Sequence, residues 1–246
     1  FCFIMLGFSL NAQPTLNSNL VPQIGEKYTY TNCDTAGINQ GNSGPNISWD
    51  FSMVKKRTEP QETVTFEIVS PSQGINNQYF PSATFAYKSD TSYSYYITES
   101  NKISRLGTGF SAGYELLTDI QTFESFPFTY GNNFTDEFAG SMFMNIDGQD
   151  VTITRKGTTT STADSWGTIT LPHGTFSNVL RIKSEEIITD EIPSSIPGIP
   201  GITIKSEIVT YSWHNSVYKF PLFQISFGKS TQTFFGQNQT TTYKLI

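Results

Sequence analysis

The stretch Trp166-Gly-Thr-Ile-Thr-Leu-Pro-His-Gly-Thr-Phe-Ser-Asn-Val-Leu-Arg-Ile-Lys183 decides the fold class. Over residues 166–171, Gly167, Ile169 and Leu171 fall on one side and threonines on the other, the period of two that a half-buried strand requires. Pro172-His173-Gly174 then supplies a fixed φ and a residue at ease with positive φ. Beyond it Phe176, Leu180, Ile182 and Ile188 share the parity opposite to Arg181, Lys183 and Glu185. The segment reads as a β-hairpin with one apolar face.

The same rhythm extends on both sides. It predicts strands over 134–146, 150–161, 166–171, 176–190, 202–213, 218–227 and 231–243, joined by Asp147-Gly148, Pro172-His173-Gly174, the Pro197-Gly198 and Pro200-Gly201 loop, Asn215-Ser216 and Gly228-Lys229-Ser230. Strands joined by turns this short must be antiparallel, because a parallel return needs a crossover of about a dozen residues or more. Several run past ten residues, so the sheet must twist and coil. Within 202–213, Ile204 and Ile208 take one face and Val209, Tyr211 and Trp213 the other, which fits either a bulge or cover on both faces. The expected fold is all-β: a long antiparallel meander forming a curved sheet, a half-barrel or a sandwich.

Toward the N-terminus the pattern is weaker. Short strands are expected over 25–30, 47–51, 64–68, 83–87 and 93–98, with less regular continuation over 103–110 and 114–120. Tyr93, Tyr95 and Tyr96 could stack on sugar rings or pair across strands. Phe123, Phe126, Phe128 and Tyr130 surround Pro127, a pattern that suits a plug or crossover and not a central strand. Residues 13–246 are expected to form a single β domain, and a sub-division would fall near Asn132-Asn133. No helix is predicted.

Residues 1–12 form an apolar run closed by Asn11-Ala12, with no methionine ahead of it; it reads as the remnant of a secretory signal peptide cleaved between Ala12 and Gln13. Cys2 would leave with it, and Cys33 alone would remain. No later segment has the ~18 consecutive apolar residues of a transmembrane helix. Six more acidic than basic side chains, 21 against 15, leave no basic stripe for nucleic acid, and Lys55-Lys56-Arg57 reads as a solvated strand end. With 15% charged and 14% aromatic residues, the solvent face is built from hydroxyls and amides, as in exported β-proteins.

Candidate chemistry is sparse. His173 sits at a turn and His214 follows Trp213 without a second ligand at metal-binding spacing. No Gly-x-Ser-x-Gly elbow occurs. Glu185-Glu186 and Asp190-Glu191 are acidic neighbours that a strand points to opposite faces, and they read as solvated. Asn145-Ile-Asp147-Gly148-Gln-Asp150 reads as a hairpin turn ahead of a calcium loop. No catalytic residue, metal ligand or cofactor is assigned. The stretch Ile192, Pro193, Ile196, Pro197, Ile199, Pro200 and Ile202, apolar and punctuated by Pro and Gly, is either a lid or a partner contact, and Trp213 and His214 join it as candidate contact residues.

The leader ending Leu10-Asn-Ala-Gln13, Ile47-Ser-Trp-Asp-Phe-Ser52, Phe126-Pro-Phe-Thr-Tyr-Gly131, the 166–183 stretch, and Tyr211-Ser-Trp-His214 followed by Phe220-Pro-Leu222 resemble the N-terminal region of secreted Bacteroidota proteins. Many of these carry a C-terminal sorting domain for type IX secretion, which is not found in 13–246. Asp34-Thr35-Ala36 resembles the short site at which such bacteria attach O-glycans. The resemblance implies location and no catalytic residues. The expected function is therefore an exported, noncatalytic β-domain for binding or display at the cell surface or in the periplasm. Alternatives are a carrier of an apolar ligand held in the curved sheet and a carbohydrate-active enzyme; partners could be carbohydrate, an apolar ligand or another surface protein.

Overall fold

A computed structural model describes residues 13–58, 63–146, 148–194 and 200–246. The chain contributes β1 (Thr15–Leu16), β2 (Lys27–Thr31), β3 (Gly44–Asp50), β4 (Thr63–Val69), β5 (Phe85–Ser89), β6 (Ser92–Thr98), β7 (Lys102–Phe110), β8 (Gly113–Ser125) and β9 (Phe128–Thr129). The longer strands follow: β10 (Asn133–Ile146), β11 (Gln149–Leu171), β12 (Gly174–Ile192), β13 (Ile202–His214), β14 (Phe223–Phe234) and β15 (Gln237–Leu245). Among the described residues, helix is confined to three short 3-10 turns at 18–20, 71–73 and 77–79.

One open sheet of 13 strands runs in the order β15-β14-β13-β12-β11-β10-β8-β7-β6-β5-β4-β2, with β3 off this path beside β11. The antiparallel meander of the second half is therefore present, and it continues through the first half as far as β4. A two-stranded pairing of β1 with β9 lies outside it.

The strand boundaries differ from the sequence expectation in three places. Residues 149–171 form one strand where two were expected, because Thr162 to Ser165 carry the ladder to β12 through a bulge between Ala163 and Ser165. Gly228-Lys229-Ser230 is strand interior, not a turn; the turn lies at Phe235-Gly236, both at positive φ. Gly228 mimics a turn residue, but its missing side chain leaves room for the ring of Tyr243, which a Cβ there would strike at 2.0 Å. Residues 218–222 are loop and the strand starts at Phe223.

Among the described residues, the parallel β3 is the one departure from antiparallel pairing. β10 pairs with β11 only as far as Thr162, and β3 takes the vacated edge at Ser165–Thr170. Gly167 permits this, since a Cβ there would lie 1.8 Å from the carbonyl oxygen of Ile47. The long connection a parallel pair needs is met by the hundred or so residues between β3 and β11.

The sheet rolls over on itself. β2 and β13 stand nine spacings apart in the strand order, roughly 43 Å along a flat sheet at ~4.8 Å per strand. Yet Phe220, in the loop that follows β13, stacks on Tyr28 of β2 with ring centroids 3.4 Å apart. Lys219 reaches Glu26 at 2.6 Å, and the Cys33 N–H donates to the Ile246 carbonyl at 2.8 Å. The inner face carries a core that draws on distant strands: Tyr28, Ile68, Phe85, Tyr96, Ile103, Ala163 and Leu180, plugged by Leu16, Leu20, Phe126 and Phe128. The aromatic run around Pro127 thus serves as a plug.

Two roofs cover the outer face. Residues 70–84 lie over Val69, Ala86, Tyr95 and Leu106, with Phe80 stacked on Tyr95 at 4.1 Å. Tyr95 is fully buried and Tyr96 nearly so, which makes these tyrosines core residues and not a sugar platform. The second roof brings Trp49 and Phe51 onto Ile169, Val179, Trp213 and Ile225. Arg181, 1% exposed, ties it down by a two-point bond to Asp164 (2.9 and 2.9 Å) and a bond to the Gln40 carbonyl (2.6 Å), among the rings of Trp49, Tyr211 and Trp213.

Candidate functional site

Charged side chains gather on the inner face where apolar parity would place hydrophobes. On β11, Arg155 shares its side with Val151 and Ile153, and the register sets it opposite Asp190 of β12 and Gly140 of β10. Gly140 puts no side chain between β8 and β11, so Arg155 reaches Glu115. Arg155 binds both oxygens of Asp190, each at 2.7 Å, and donates through Nη1 to Glu115 Oε1 at 2.8 Å. Glu115 also receives Arg105 from β7 in a short ion pair, and Arg105 Nε donates to Gln121 Oε1 at 2.8 Å. Gln121 Nε2 in turn donates to Thr159 Oγ1 at 2.7 Å and to Glu186.

This row crosses β7, β8, β11 and β12 and is largely shielded from water. Burial alone would raise the Glu115 carboxyl, but the Arg105 and Arg155 guanidiniums outweigh it and hold the group below the usual carboxylate range. Both arginines are fully engaged by acids and amides. Asp190 and Glu186 are thus not solvated as the sequence suggested; their neighbours Glu191 and Glu185 point outward to Lys156 and Lys183, as strand alternation requires.

Beside this row lies an aromatic cup. Tyr87 and Tyr96 stand 4.8 Å apart, Phe123 lies 5.2 Å from Tyr96 and 6.4 Å from Tyr87, and Phe220 closes the far side 5.7 Å from Tyr87. Phe123 enters because of a bulge: Ile103 faces Glu124 and Ser104 faces Thr122, so Phe123 is the extra residue and is 41% exposed. Glu124, next to Phe123 in β8 and opposite Ile103 of β7, is half-buried. Glu124 makes no hydrogen bond or ion pair among the described residues, and burial pushes its carboxyl up to about 7.

The residues expected from sequence do not converge. Ile192 and Ile202 form the last rung of the β12–β13 ladder and are half-buried, while Pro193 and Pro200 are exposed. Ile196, Pro197 and Ile199 lie outside the described residues, as does the 1–12 run. Trp213 is fully buried against Trp49 and Phe51 and offers no surface to a partner. His214 is half-buried, lies 2.9 Å from Ser212 Oγ, and burial pushes its imidazole down to about 4. Eleven residue steps along β13 separate Ile202 from Trp213, roughly 36 Å.

Elsewhere the 145–150 segment is a turn, with Gly148 N–H donating to Asn145 Oδ1 and Asn145 Nδ2 to Asp150 Oδ1. Among the described residues no group of three His, Cys, Asp or Glu is placed to hold a metal ion. Thr35 is half-buried, its carbonyl accepting from Lys244. A groove of about 570 Å³ runs over Val209, Phe227 and Tyr243, and a smaller one of about 210 Å³ lies beside Trp49. Among the described residues no helix is long and apolar enough to cross a membrane.

The inner row and cup are not legible strand by strand, because their members come from different strands. The available signal was parity: Arg155 and Glu115 occupy positions where Ile153 and Leu117 are buried. Compared with known proteins, the chain matches no family model, no curated protein and no solved structure. The fold defines it as an all-β protein built on one large open, rolled and mainly antiparallel sheet.

Proposed function

We propose that the chain is a noncatalytic binding domain, exported to the cell surface or the periplasm, that takes its ligand at the aromatic cup on the inner face of the sheet. The observation that carries this reading is the cup itself. Phe123 opens to solvent against the buried ring of Tyr96 and the half-buried ring of Tyr87, which hold it in place, and the neighbouring charges Arg105, Glu115, Arg155 and Asp190 neutralise one another. Fixed aromatics beside an internally neutral polar row suit recognition, where few precisely placed polar groups set orientation. The apolar 1–12 run and the low share of charge support export, and the resemblance to secreted Bacteroidota proteins supports the compartment.

The test is a binding screen of purified protein against glycans, extended peptides and small amphiphiles, repeated with Phe123→Ser. Saturable binding of one class, weakened by Phe123→Ser without loss of fold, is the expected result. Binding indifferent to Phe123, or turnover of a glycan, overturns the reading, and the second outcome favours the enzyme alternative. Lipid found by mass spectrometry of the purified protein favours the carrier.

A further inference from the structure

We propose that the free edge of β15 is a self-docking surface: a second copy of this chain pairs with it antiparallel about Thr240, so that two sheets join edge to edge. The inference is independent of the cup and uses none of its residues.

Among the described residues β15 is last in the sheet order and pairs only with β14. Phe235 and Gly236, both at positive φ, make the two-residue turn between the two strands, and Phe234 and Gln237 form the rung next to it. Such a rung carries both backbone bonds, and bonding alternates from there. Gln237, Gln239 and Thr241 turn their N–H and C=O to β14, whereas Asn238, Thr240 and Thr242 turn theirs outward. Ile246 has the outward parity too, and its carbonyl accepts from the Cys33 N–H at 2.8 Å. That contact closes the far end of the edge and leaves it open from Gln237 to Tyr243.

The open stretch carries no device against another strand. Exposed edges are ordinarily blunted by proline, a bulge or a projecting charge. Residues 237–243 are all exposed, hold no proline and no charged side chain, and pair with β14 without a register shift. Lys244, which follows, does not guard the edge, because its ammonium folds back onto the Thr35 and Ile38 carbonyls.

The order of side chains selects the occupant. Gln237-Asn238-Gln239 are amides, and Thr240-Thr241-Thr242-Tyr243 carry hydroxyls. A second copy running antiparallel about Thr240, the midpoint of the open stretch, sets Gln237 against Tyr243, Asn238 against Thr242 and Gln239 against Thr241. Each of these pairs is an amide opposite a hydroxyl, and Thr240 meets its own twin. The same centre puts outward-facing residues opposite one another, as a hydrogen-bonded ladder requires, and no like charges meet. Both kinds of pair already occur in the β14–β15 ladder: Thr233 Oγ1 donates to Asn238 Oδ1 at 2.8 Å, and the Thr231 and Thr240 hydroxyls lie 3.1 Å apart. A parallel copy would set amide on amide and lose the match. The contact is a polar strip one strand long, so the dimer is weak and forms as concentration rises.

The experiment is sedimentation velocity of the whole chain from micromolar to near-millimolar concentration, for wild type, Thr240→Lys, Thr240→Glu and an equimolar mixture of the two variants. Wild type is expected to double its mass as concentration rises. Each variant alone sets like charges together at the two-fold axis and stays monomeric, and the mixture sets Lys against Glu and regains the dimer. Hydrogen exchange of wild type gives a second reading: the outward amides of Asn238, Thr240 and Thr242 slow with concentration, whereas those of Gln239 and Thr241 do not. Far-UV circular dichroism confirms that the variants keep the sheet. Should either lose it, exchange of wild type decides alone. Wild type that stays monomeric throughout overturns the proposal and leaves the edge to water or a foreign strand. A dimer that survives Thr240→Lys, a mixture that stays monomeric, or outward amides indifferent to concentration overturns it as well.

Discussion

Phe220 lies flat on Tyr28, ring centroids 3.4 Å apart, although nine strand spacings separate β13 from β2 within the sheet. This contact closes the roll, and it does so with rings: Tyr28, Tyr30 and Tyr87 all meet Phe220. The ion pair of Lys219 with Glu26 is the polar part of the same closure.

Closure should therefore depend on the ring and not on the charge. Phe220→Ala is expected to cost about 2–4 kcal/mol, toward the lower part of the range for aromatic truncation because the ring is only part-buried. Lys219→Met should cost less than about 1 kcal/mol, as for other part-exposed pairs. Urea midpoints of the two variants check the ranking, and equal losses would refute it.

The inner row predicts a different asymmetry. Arg155→Met leaves Glu115 without one of its two cations and Asp190 without its two-point partner, and the loss should reach about 3–5 kcal/mol. Arg155→Met combined with Asp190→Leu should recover part of it, since removing both partners spares the uncompensated charge. A double-mutant cycle in urea measures the recovery. Because Glu115 is held below its usual 4.5, its share of the stability is complete above that value and is lost as pH falls through the depressed one.

The architecture was legible in the second half because turn chemistry and parity agree there: Gly148 and Gly174 stand at positive φ between strands whose alternate residues are buried. Where they disagreed, the reading slipped. Gly228 looks like a turn and is a strand position under Tyr243. The pairing of β3 with β11 joins residues more than a hundred apart and leaves no local trace in either. The candidate site was invisible for the same reason. Arg105, Glu115, Arg155 and Asp190 come from four strands, and only the register brings them together. Trp213 and His214 attracted notice as rare residue types, but burial in the core and a bond to Ser212 account for them.

Gly167→Ala tests the parallel pairing. The added methyl would lie 1.8 Å from the Ile47 carbonyl oxygen, a backbone atom that cannot step aside without moving β3. The expected cost is about 1–3 kcal/mol or more. Loosening should appear first at the roof, as faster hydrogen exchange of the Trp49 indole N–H, which donates to the Asn42 carbonyl at 3.1 Å. Unchanged exchange at Trp49 would contradict the arrangement.

His214 gives stability one slope with pH. Burial drops its imidazole from 6.5 to about 4, so between those values the unfolded chain binds a proton that the folded chain does not. This contribution is complete above pH 6.5 and is lost as pH falls toward 4. His214→Gln should remove that loss, visible as a smaller decline in melting temperature from pH 6.5 to 4.

Glu124 gives the opposite slope. Its carboxyl is raised from 4.5 to about 7 by burial, so across that window the folded chain binds the extra proton. Its contribution is complete below pH 4.5 and is lost as pH rises through 7. The two windows overlap from 4.5 to 6.5, where the slopes of Glu124 and His214 cancel. Glu124→Gln removes one of them and should leave stability rising with pH across the overlap, with the variant gaining on wild type most clearly above pH 7. Melting temperatures of wild type and Glu124→Gln at pH 4 and pH 8 test this. A variant that tracks wild type at both values would mean that Glu124 titrates as an ordinary solvated acid.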